Sequence, residues 1–217
     1  MQKMKEEDVT ISIGRAIIEG YLMIPQGAKG IVIFAHGSGS GRFSPRNQYV
    51  AKVLNGVGIG TLLIDLLTRE EEEIDATTGK FRFDIDLLAL RLEDATEWLK
   101  KNPATRSLSL GYFGASTGAA AALIAATMYP KDVRTVVSRG GRPDLAMQHL
   151  QKVKVPTLFI VGGKDTVVIE LNKKAMEQVP AEKKLEIIHD ATHLFEEPGK
   201  LEKVAKISAD WFLAHFI

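Results

Sequence analysis

The sequence predicts an α/β fold in which helices wrap around a mostly parallel sheet. Short β-branched runs alternate along the chain with longer segments of helical period, which is the pattern of successive strand–helix units. Some strand runs are continuously apolar, such as GIVIFA at residues 30–35, as expected for strands buried on both faces. We find no internal repeat and no interdomain linker. We therefore expect one domain over residues 1–217, with residues 1–8 flexible or loosely packed.

The elements are predicted in order from apolar periodicity and breakers. Residues 9–13 and 16–24 are expected to form an antiparallel hairpin around Gly14, followed by the first buried strand. Ser44 suits an N-cap with Pro45 at the first helical position. The next helix is therefore expected to begin there and to end at Gly56 and Gly58. The remaining predicted elements are strands at 60–66, 109–113, 133–137, 157–161 and 185–188, and helices at 84–101, 117–128, 143–150, 169–178 and 200–216.

Residues 67–82 are predicted to form a long surface loop. The segment is polar, contains the acidic run 70–73 and is broken by Gly79. Loops of this length inside a compact domain are uncommon and often functional. The segment could line or cover a site, or it could be only a solvated excursion, and the sequence leaves both interpretations open.

Charge and composition exclude several classes of protein. The 217 residues include 28 Lys or Arg and 27 Asp or Glu, so the formal net charge is +1, which argues against a nucleic-acid partner and against strong adsorption to membranes. Zero cysteines exclude disulfides, thiolate metal sites and a cysteine nucleophile, and they favour a cytoplasmic location. The N-terminus lacks the apolar core of a signal peptide, and no run approaches the length of about 18 apolar residues that a membrane span needs.

The sharpest catalytic signal is the pentapeptide GASTG at residues 114–118, which lies between an apolar strand and an Ala-rich helix. This G-x-S-x-G pattern is typical of a nucleophile elbow, in which a serine sits on a strained strand-to-helix turn. Gly114 and Gly118 fit positions where the two backbones approach closely. The pattern predicts Ser116 as a nucleophile, the alternative being a glycine-rich turn with a capping serine.

A serine nucleophile needs a general base, which in turn needs an orienting carboxylate. In nucleophile-elbow folds the order along the chain is serine, acid, histidine, which favours Asp165 after the TLFIV strand and His193 after the LEII strand. His189 is the rival base, but it continues the strand and is expected closer to the sheet. Asp144 is the rival acid, but it more simply begins a helix, where a carboxylate complements the dipole.

The anionic intermediate of acyl transfer needs two backbone N–H donors. We predict Thr117, directly after the nucleophile, and Ser38, in the glycine-rich loop after the first buried strand. His36 is expected to fix that loop through hydrogen bonds rather than to act as a second base. The loop lacks the glycine spacing of a dinucleotide fingerprint and the ending of a Walker A motif, which argues against nucleotide binding.

Three arginines are candidates for binding an anionic part of a substrate. Arg42 lies near the oxyanion loop, and Arg139 and Arg142 follow a strand at the same presumed edge. A small or medium ester with a carboxylate would fit such a role. Arginines beside glycine turns also cap helix ends or form structural ion pairs, so both roles stay open.

Six segments together resemble the α/β-hydrolase superfamily, specifically its dienelactone-hydrolase-like branch. They are HGSGSGR, SPRNQYVA, GYFGASTGAAAAL, VSRGGRPDLA, LFIVGGKD and DATHLFEEPG. The resemblance runs from about residue 31 to residue 216. It implies a mostly parallel eight-stranded sheet with helices on both faces, a Ser-His-Asp triad at the carboxyl edge and no metal or organic cofactor. Some members of this branch are fused to a phosphoribosyltransferase domain.

The resemblance and the residues together predict a serine esterase. Ser116 attacks an ester carbonyl, His193 acts as general base, Asp165 orients His193, and water releases the acyl group. Dienelactone hydrolase proper uses cysteine in its elbow, so its lactone specificity is not carried over to this serine. Thioesterases and lactonases share the constellation. A non-catalytic binding protein on the same fold is the alternative from another class, and the acyl group, the alcohol group and the oligomeric state stay open.

Overall fold

The computed structural model describes residues 4–14 and 16–216, which form an eight-stranded sheet with helices packed on its two faces. The strands are β1 (Met4–Ile13), β2 (Ala16–Pro25), β3 (Gly30–Ala35), β4 (Gly60–Ile64), β5 (Ser109–Ala115), β6 (Val133–Arg139), β7 (Thr157–Gly162) and β8 (Lys183–Ile188). The helices are α1 (Pro45–Gly56), α2 (Arg69–Thr78), α3 (Ile85–Lys101), α4 (Thr117–Met128), α5 (Thr166–Gln178) and α6 (Lys200–His215), with short 3-10 helices at Pro143–Ala146 and Leu150–Lys152. The predicted α/β class is confirmed.

The strand order is β1-β2-β4-β3-β5-β6-β7-β8. Strand β2 is antiparallel to both of its neighbours, β1 and β4, and all other neighbouring strands pair in parallel. The carboxyl ends of parallel strands lie at one edge of a sheet, where α/β folds place their sites. The loops after β3, β5, β6, β7 and β8 therefore converge at this edge.

Each face of the sheet has its own apolar core because successive residues of a strand point to opposite sides. In β3, Ile31 and Ile33 lie in the core under α3 and α4, whereas Val32 and Phe34 lie in the core under α1 and α6. Helix α5 packs against β7 and the 3-10 helix at Pro143–Ala146, with Ala175 in the first of these cores. Among the helices in the described part of the chain, none combines the length and apolar character needed to cross a membrane.

Several predicted boundaries are confirmed. Helix α4 covers residues 117–128 as predicted, and α1 begins at Pro45 behind the N-cap Ser44, whose side chain accepts a hydrogen bond from the Asn47 amide. Residues 4–8, which were predicted to be flexible or loosely packed, pair with β2 as part of strand β1, and their side chains are exposed or half-buried. Residues 1–3 lie outside the described residues.

The predicted loop at residues 67–82 contains helix α2, so that prediction is wrong. Thr68 and Glu71 form a capping box: the Thr68 hydroxyl accepts from the Glu71 amide at 3.2 Å, and the Glu71 carboxylate accepts from the Thr68 amide at 2.8 Å. Gly79 ends the helix in the left-handed conformation, with φ 63°. These end signals stabilise a helix whose sequence carries no wide apolar stripe.

The predicted helix at residues 143–150 is also wrong, since the segment forms two 3-10 helices. Its backbone hydrogen bonds span three residues, for example from the His149 amide to the Ala146 carbonyl at 2.8 Å. Ala146 and Leu150 are buried in the core next to α4. The segment therefore packs as a tight connection between β6 and β7 rather than as a surface helix.

Candidate active site

Ser116 occupies a strained turn between β5 and α4. Its backbone has φ 50° and ψ −120°, a combination that is costly for a residue with a side chain. A Cβ atom at Gly114 would lie 2.4 Å from Ala119 Cα, and one at Gly118 would lie 2.3 Å from the Ala35 carbonyl oxygen. Only glycine fits at both positions, so the pentapeptide adopts the close strand-to-helix turn that its pattern predicts.

His193 and Asp165 are joined by a hydrogen bond of 2.6 Å between Nδ1 and Oδ2. Asp165 occupies the N-cap position of α5, but its carboxylate makes no capping bond there and is bonded to the histidine. The loops after β7 and β8 are held together by a backbone bond from the Lys164 amide to the Ala191 carbonyl at 2.9 Å. This arrangement engages Nδ1 of the ring and leaves Nε2 as the nitrogen available for a substrate or a nucleophile.

The structure brings neither rival residue to this pair. The His189 side chain is 89% exposed and bonds to Asp190 at 2.8 Å, so it lies in solvent and not close to the sheet as expected. Asp144 binds the Arg142 guanidinium through two hydrogen bonds of 2.8 Å each. Each rival group therefore has its own partner away from His193.

Ser116 and His193 line the same cavity, which we name the serine cavity. It has a volume of about 200 Å³ and is lined by Gly37, Ser38, Ser40, Arg46, Asn47, Ala115, Ser116, Arg139, His193 and Leu194. Arg46 and Asn47 were not predicted from the sequence, since no motif marks them. They enter the cavity because α1 begins directly after the glycine-rich loop. Within the described residues, no cluster of three or more His, Cys, Asp or Glu side chains could hold a metal ion.

His36 fixes the loop after β3, in the role predicted for it. Its Nε2 accepts a hydrogen bond from the Leu66 amide at 3.0 Å, so Nδ1 carries the proton and donates to the Gly37 carbonyl at 2.9 Å. Burial lowers the pKa of His36 and outweighs the opposing effect of the Gly37 carbonyl. The neutral ring thus ties the loop to the residue that follows β4.

These bonds also fix the direction of the Ser38 amide, because it belongs to the same peptide group as the Gly37 carbonyl. The Ser38 hydroxyl lies 3.1 Å from the Thr117 hydroxyl, and a Cβ at Gly37 would lie 3.0 Å from Ser116 Cβ. Neither the Ser38 amide nor the Thr117 amide donates a hydrogen bond to another described residue. The structure therefore brings Ser38 and Thr117 into contact through their hydroxyls beside Ser116, and both of their backbone N–H groups are unused among the described residues.

A second cavity, which we name the α2 cavity, lies on the other side of this loop. Its volume is about 250 Å³, and its lining includes Ser38, Thr117, Leu66, Leu67, Glu72, Asp75, Ala76, Arg82 and Leu88. Asp75 is 4% exposed and holds Arg82 through a hydrogen bond of 2.7 Å from Nε. The segment at residues 67–82 thus lines a cavity, which was one of its two open interpretations.

Two of the three candidate arginines have carboxylate partners. Arg42 pairs with both Asp65 and Glu19. Burial alone would lower the pKa of Arg42, but the two carboxylates raise it. Arg142 is held by Asp144. The structure places both guanidinium groups in internal ion pairs.

Arg139 differs from the other two candidates. It is 7% exposed and lines the serine cavity, and its guanidinium makes no hydrogen bond or ion pair with another described residue. Burial, with a smaller contribution from the nearby Arg46, lowers the pKa of Arg139 to about 10. The group therefore stays cationic at neutral pH without a counter-charge from any described residue.

An eight-stranded, mostly parallel sheet with a serine turn at its carboxyl edge defines an α/β-hydrolase-fold protein. A sequence profile of the Dienelactone hydrolase family matches residues 18–214. The chain belongs to the dienelactone hydrolase family, which confirms the resemblance inferred from the sequence.

Named relatives agree on the fold and differ in what they are called. The crystal structure of a dienelactone hydrolase from Anabaena variabilis is 58% identical, with 98% of each chain covered and a TM-score of 0.96. A Mycobacterium tuberculosis protein named "Putative phosphoribosyl transferase" is 55% identical over 212 residues, which are 98% of this chain and 47% of that protein. This chain therefore spans about half the length of the curated relatives it matches. Est1E from Butyrivibrio proteoclasticus, at 16% identity, 96% and 98% coverage and a TM-score of 0.80, shares the fold.

Proposed function

We propose that this protein is a serine hydrolase that cleaves a small or medium carboxylic ester. The observation that carries the proposal is the 2.6 Å bond between His193 and Asp165 at the cavity that Ser116 enters from a strained turn. A nucleophile, a base and an orienting acid from three strand ends are the arrangement that acyl transfer requires. Membership of a hydrolase family supports the reaction class.

In the proposed first step, Ser116 Oγ attacks the ester carbonyl carbon while His193 Nε2 accepts the hydroxyl proton. Asp165 holds the ring so that Nδ1 keeps its proton and Nε2 can act as the base. The tetrahedral intermediate carries a negative charge on the former carbonyl oxygen. The unused amides of Ser38 and Thr117 are the proposed donors to that oxygen.

Collapse of the intermediate breaks the bond between the carbonyl carbon and the alcohol oxygen, and the leaving alcohol takes the proton from His193. This leaves an acyl group on Ser116. His193 then accepts a proton from water, whose oxygen attacks the acyl carbon. The second collapse returns the proton to Ser116 and releases the carboxylic acid, so the enzyme ends as it began.

The name of the Mycobacterium tuberculosis relatives does not lead us to propose phosphoribosyl transfer. Those proteins are about twice as long as the segment that matches, and this chain covers 47% of their length. The named activity can therefore reside in the part that this chain does not match. The loop after β3 also lacks a phosphate-binding glycine pattern.

The absence of cysteine supports a cytoplasmic location as part of the proposal.

Labelling with a fluorophosphonate tests the proposal. We expect intact mass measurement to find one adduct on the wild-type protein and none on Ser116→Ala. Ser40→Ala removes another hydroxyl from the same cavity and serves as the matched control, which should keep the adduct. The same three proteins are then assayed with 4-nitrophenyl acetate, a thioester and a lactone to separate esterase, thioesterase and lactonase activities.

Two results would contradict the proposal. A folded wild-type protein that forms no adduct has no activated serine and would support a non-catalytic binding protein. An adduct that persists in Ser116→Ala would place the reactive group elsewhere.

A further inference from the structure

The serine cavity contains a guanidinium that pairs with no carboxylate of the described residues. Arg139 is 7% exposed, and its Nε and Nη1 atoms are buried without a hydrogen-bond partner among the described residues. Burying an unpaired charge is costly unless a ligand supplies the opposite charge. Strand β6 ends at Arg139, next to Ser116, whose amide donates to the Arg139 carbonyl at 3.2 Å. The unpaired cation therefore lies beside the nucleophile.

Neighbouring groups strengthen the positive character of this wall. Arg46 lines the same cavity, and its Nη1 is held by Glu196 at 3.1 Å while its Nε is buried without a partner. The first turn of α1, where Arg46 lies, adds the partial positive charge of a helix N-terminus. Asn47 is 3% exposed, and its Oδ1 also lacks a partner among the described residues. Arg139, Arg46 and Asn47 thus each bring to the same cavity a buried polar atom that has no hydrogen-bond partner among the described residues.

We propose that Arg139 binds a singly charged oxyanion group, such as a carboxylate, on the ester substrate. The inference rests on the proposed function of the same cavity. Arg46 is already paired with Glu196, so Arg139 carries the uncompensated charge among the described residues of the cavity, and one negative charge balances it. Arg42 and Arg142 are excluded from this role by their internal carboxylates. Asn47 Oδ1 is placed to accept a hydrogen bond from a substrate hydroxyl or amide.

The first test uses pairs of esters that have the same shape and differ by one negative charge. One pair carries the charge on the alcohol side, 4-acetoxybenzoate against 4-acetoxybenzamide. The other carries it on the acyl side, 4-nitrophenyl hemiglutarate against 4-nitrophenyl 4-carbamoylbutanoate. We expect kcat/KM of the wild type to favour the anion by roughly ten- to hundredfold in one pair, which assigns the side, because a charge-assisted hydrogen bond stabilises the bound ester. In the preferred pair's scaffold, sulfonate and phosphate analogues separate a carboxylate from tetrahedral anions.

Arg139→Gln should abolish the preference by lowering kcat/KM for the anionic ester much more than for the neutral ester. Arg134→Gln is the matched control, because Arg134 is an exposed arginine of the same strand, and it should keep the preference. Since Arg139 has no internal partner, Arg139→Gln should not lower Tm. An unchanged preference in Arg139→Gln would overturn the proposal, as would a wild type without a preference in either pair. An equal loss on charged and neutral esters with a lower Tm would also overturn it, by making Arg139 structural.

A binding test separates this proposal from the proposed function. In Ser116→Ala, benzoate should raise Tm and benzamide should not, and the double variant Ser116→Ala with Arg139→Gln should lose the benzoate effect. If the wild type forms no fluorophosphonate adduct but benzoate acts through Arg139, the hydrolase proposal fails and the anion site stands. If the adduct forms and benzoate has no effect that depends on Arg139, the anion site fails and the hydrolase proposal stands.

Discussion

The loop at residues 37–40 separates two cavities that are built in different ways. The serine cavity collects Ser116, Arg139 and His193 from the carboxyl ends of three strands of the sheet: Arg139 is the last residue of β6, and Ser116 and His193 follow β5 and β8. The α2 cavity is closed by a polar helix, which is held through ion pairs such as Asp75 with Arg82. Strand ends are rigid and share one edge, so they hold reacting groups in place. The segment at residues 67–82, in contrast, lies outside the sheet and lines a cavity. Substitutions in this segment should therefore change substrate binding rather than the chemical step.

The largest expected effect is a fall in kcat when the proposed triad at the serine cavity is changed. Asp165→Asn should lower kcat by roughly 10³- to 10⁴-fold, because an asparagine can stabilise the wrong tautomer of His193 and leave Nε2 protonated. Steady-state kinetics on a 4-nitrophenyl ester measures the effect. Asp144→Asn is the matched control and should retain kcat within about threefold, since Asp144 is bonded to Arg142. The reverse result, with Asp144 essential and Asp165 dispensable, would contradict the proposed triad.

A smaller effect, on stability, is expected at His36, which fixes the loop between the two cavities. Burial lowers the pKa of His36, so the unfolded chain binds a proton that the folded chain does not between that lowered pKa and the ordinary value of about 6.5. The unfolding free energy should therefore fall as pH decreases below about 6.5, with a slope of at most about 1.4 kcal/mol per pH unit from this residue. Urea unfolding followed by circular dichroism at several pH values measures the slope.

His36→Gln keeps a donor and an acceptor in the side chain but cannot titrate, so the slope should be shallower in this variant. His189→Gln, at an exposed histidine, should leave the slope as in the wild type. If the His36 variant keeps the wild-type slope, another group sets the acid sensitivity.

The smallest expected effect is a rise in KM when the ion pair that holds the α2 cavity is weakened. Asp75 accepts hydrogen bonds from the Phe81 and Arg82 amides and pairs with the Arg82 side chain. Asp75→Asn weakens this anchor, so KM for esters with longer acyl chains should rise severalfold, while kcat and fluorophosphonate labelling stay as in wild type. Glu73→Gln, at an exposed position of the same helix, is the control. A fall in kcat at constant KM would show that α2 takes part in chemistry, and the contrast between the two cavities would fail.

Local sequence patterns predicted the elbow of the serine cavity better than they predicted the helix that lines the α2 cavity. The elbow at residues 114–118 is recognisable because a short spacing of small residues meets a steric demand within the same segment. Helix α2 was missed because its residues are polar and carry no wide apolar stripe, so periodicity gave no signal. The pair Thr68 and Glu71 was the available clue, since threonine followed three residues later by glutamate is a capping-box pattern.

The sequence by itself determined the α/β class, the strained position of Ser116, and the order in which Ser116, Asp165 and His193 follow strands. These properties depend on local spacing and on the rule that parallel strands end at one edge. Only the tertiary structure decided which arginine is free. Arg42 finds Asp65 and Glu19 on other elements, and Arg46 finds Glu196 near the far end of the chain, whereas Arg139 finds no carboxylate among the described residues. Arg142 is paired locally, with Asp144 two residues away, but the other pairs join segments far apart in sequence, and for this reason no local pattern could single out Arg139.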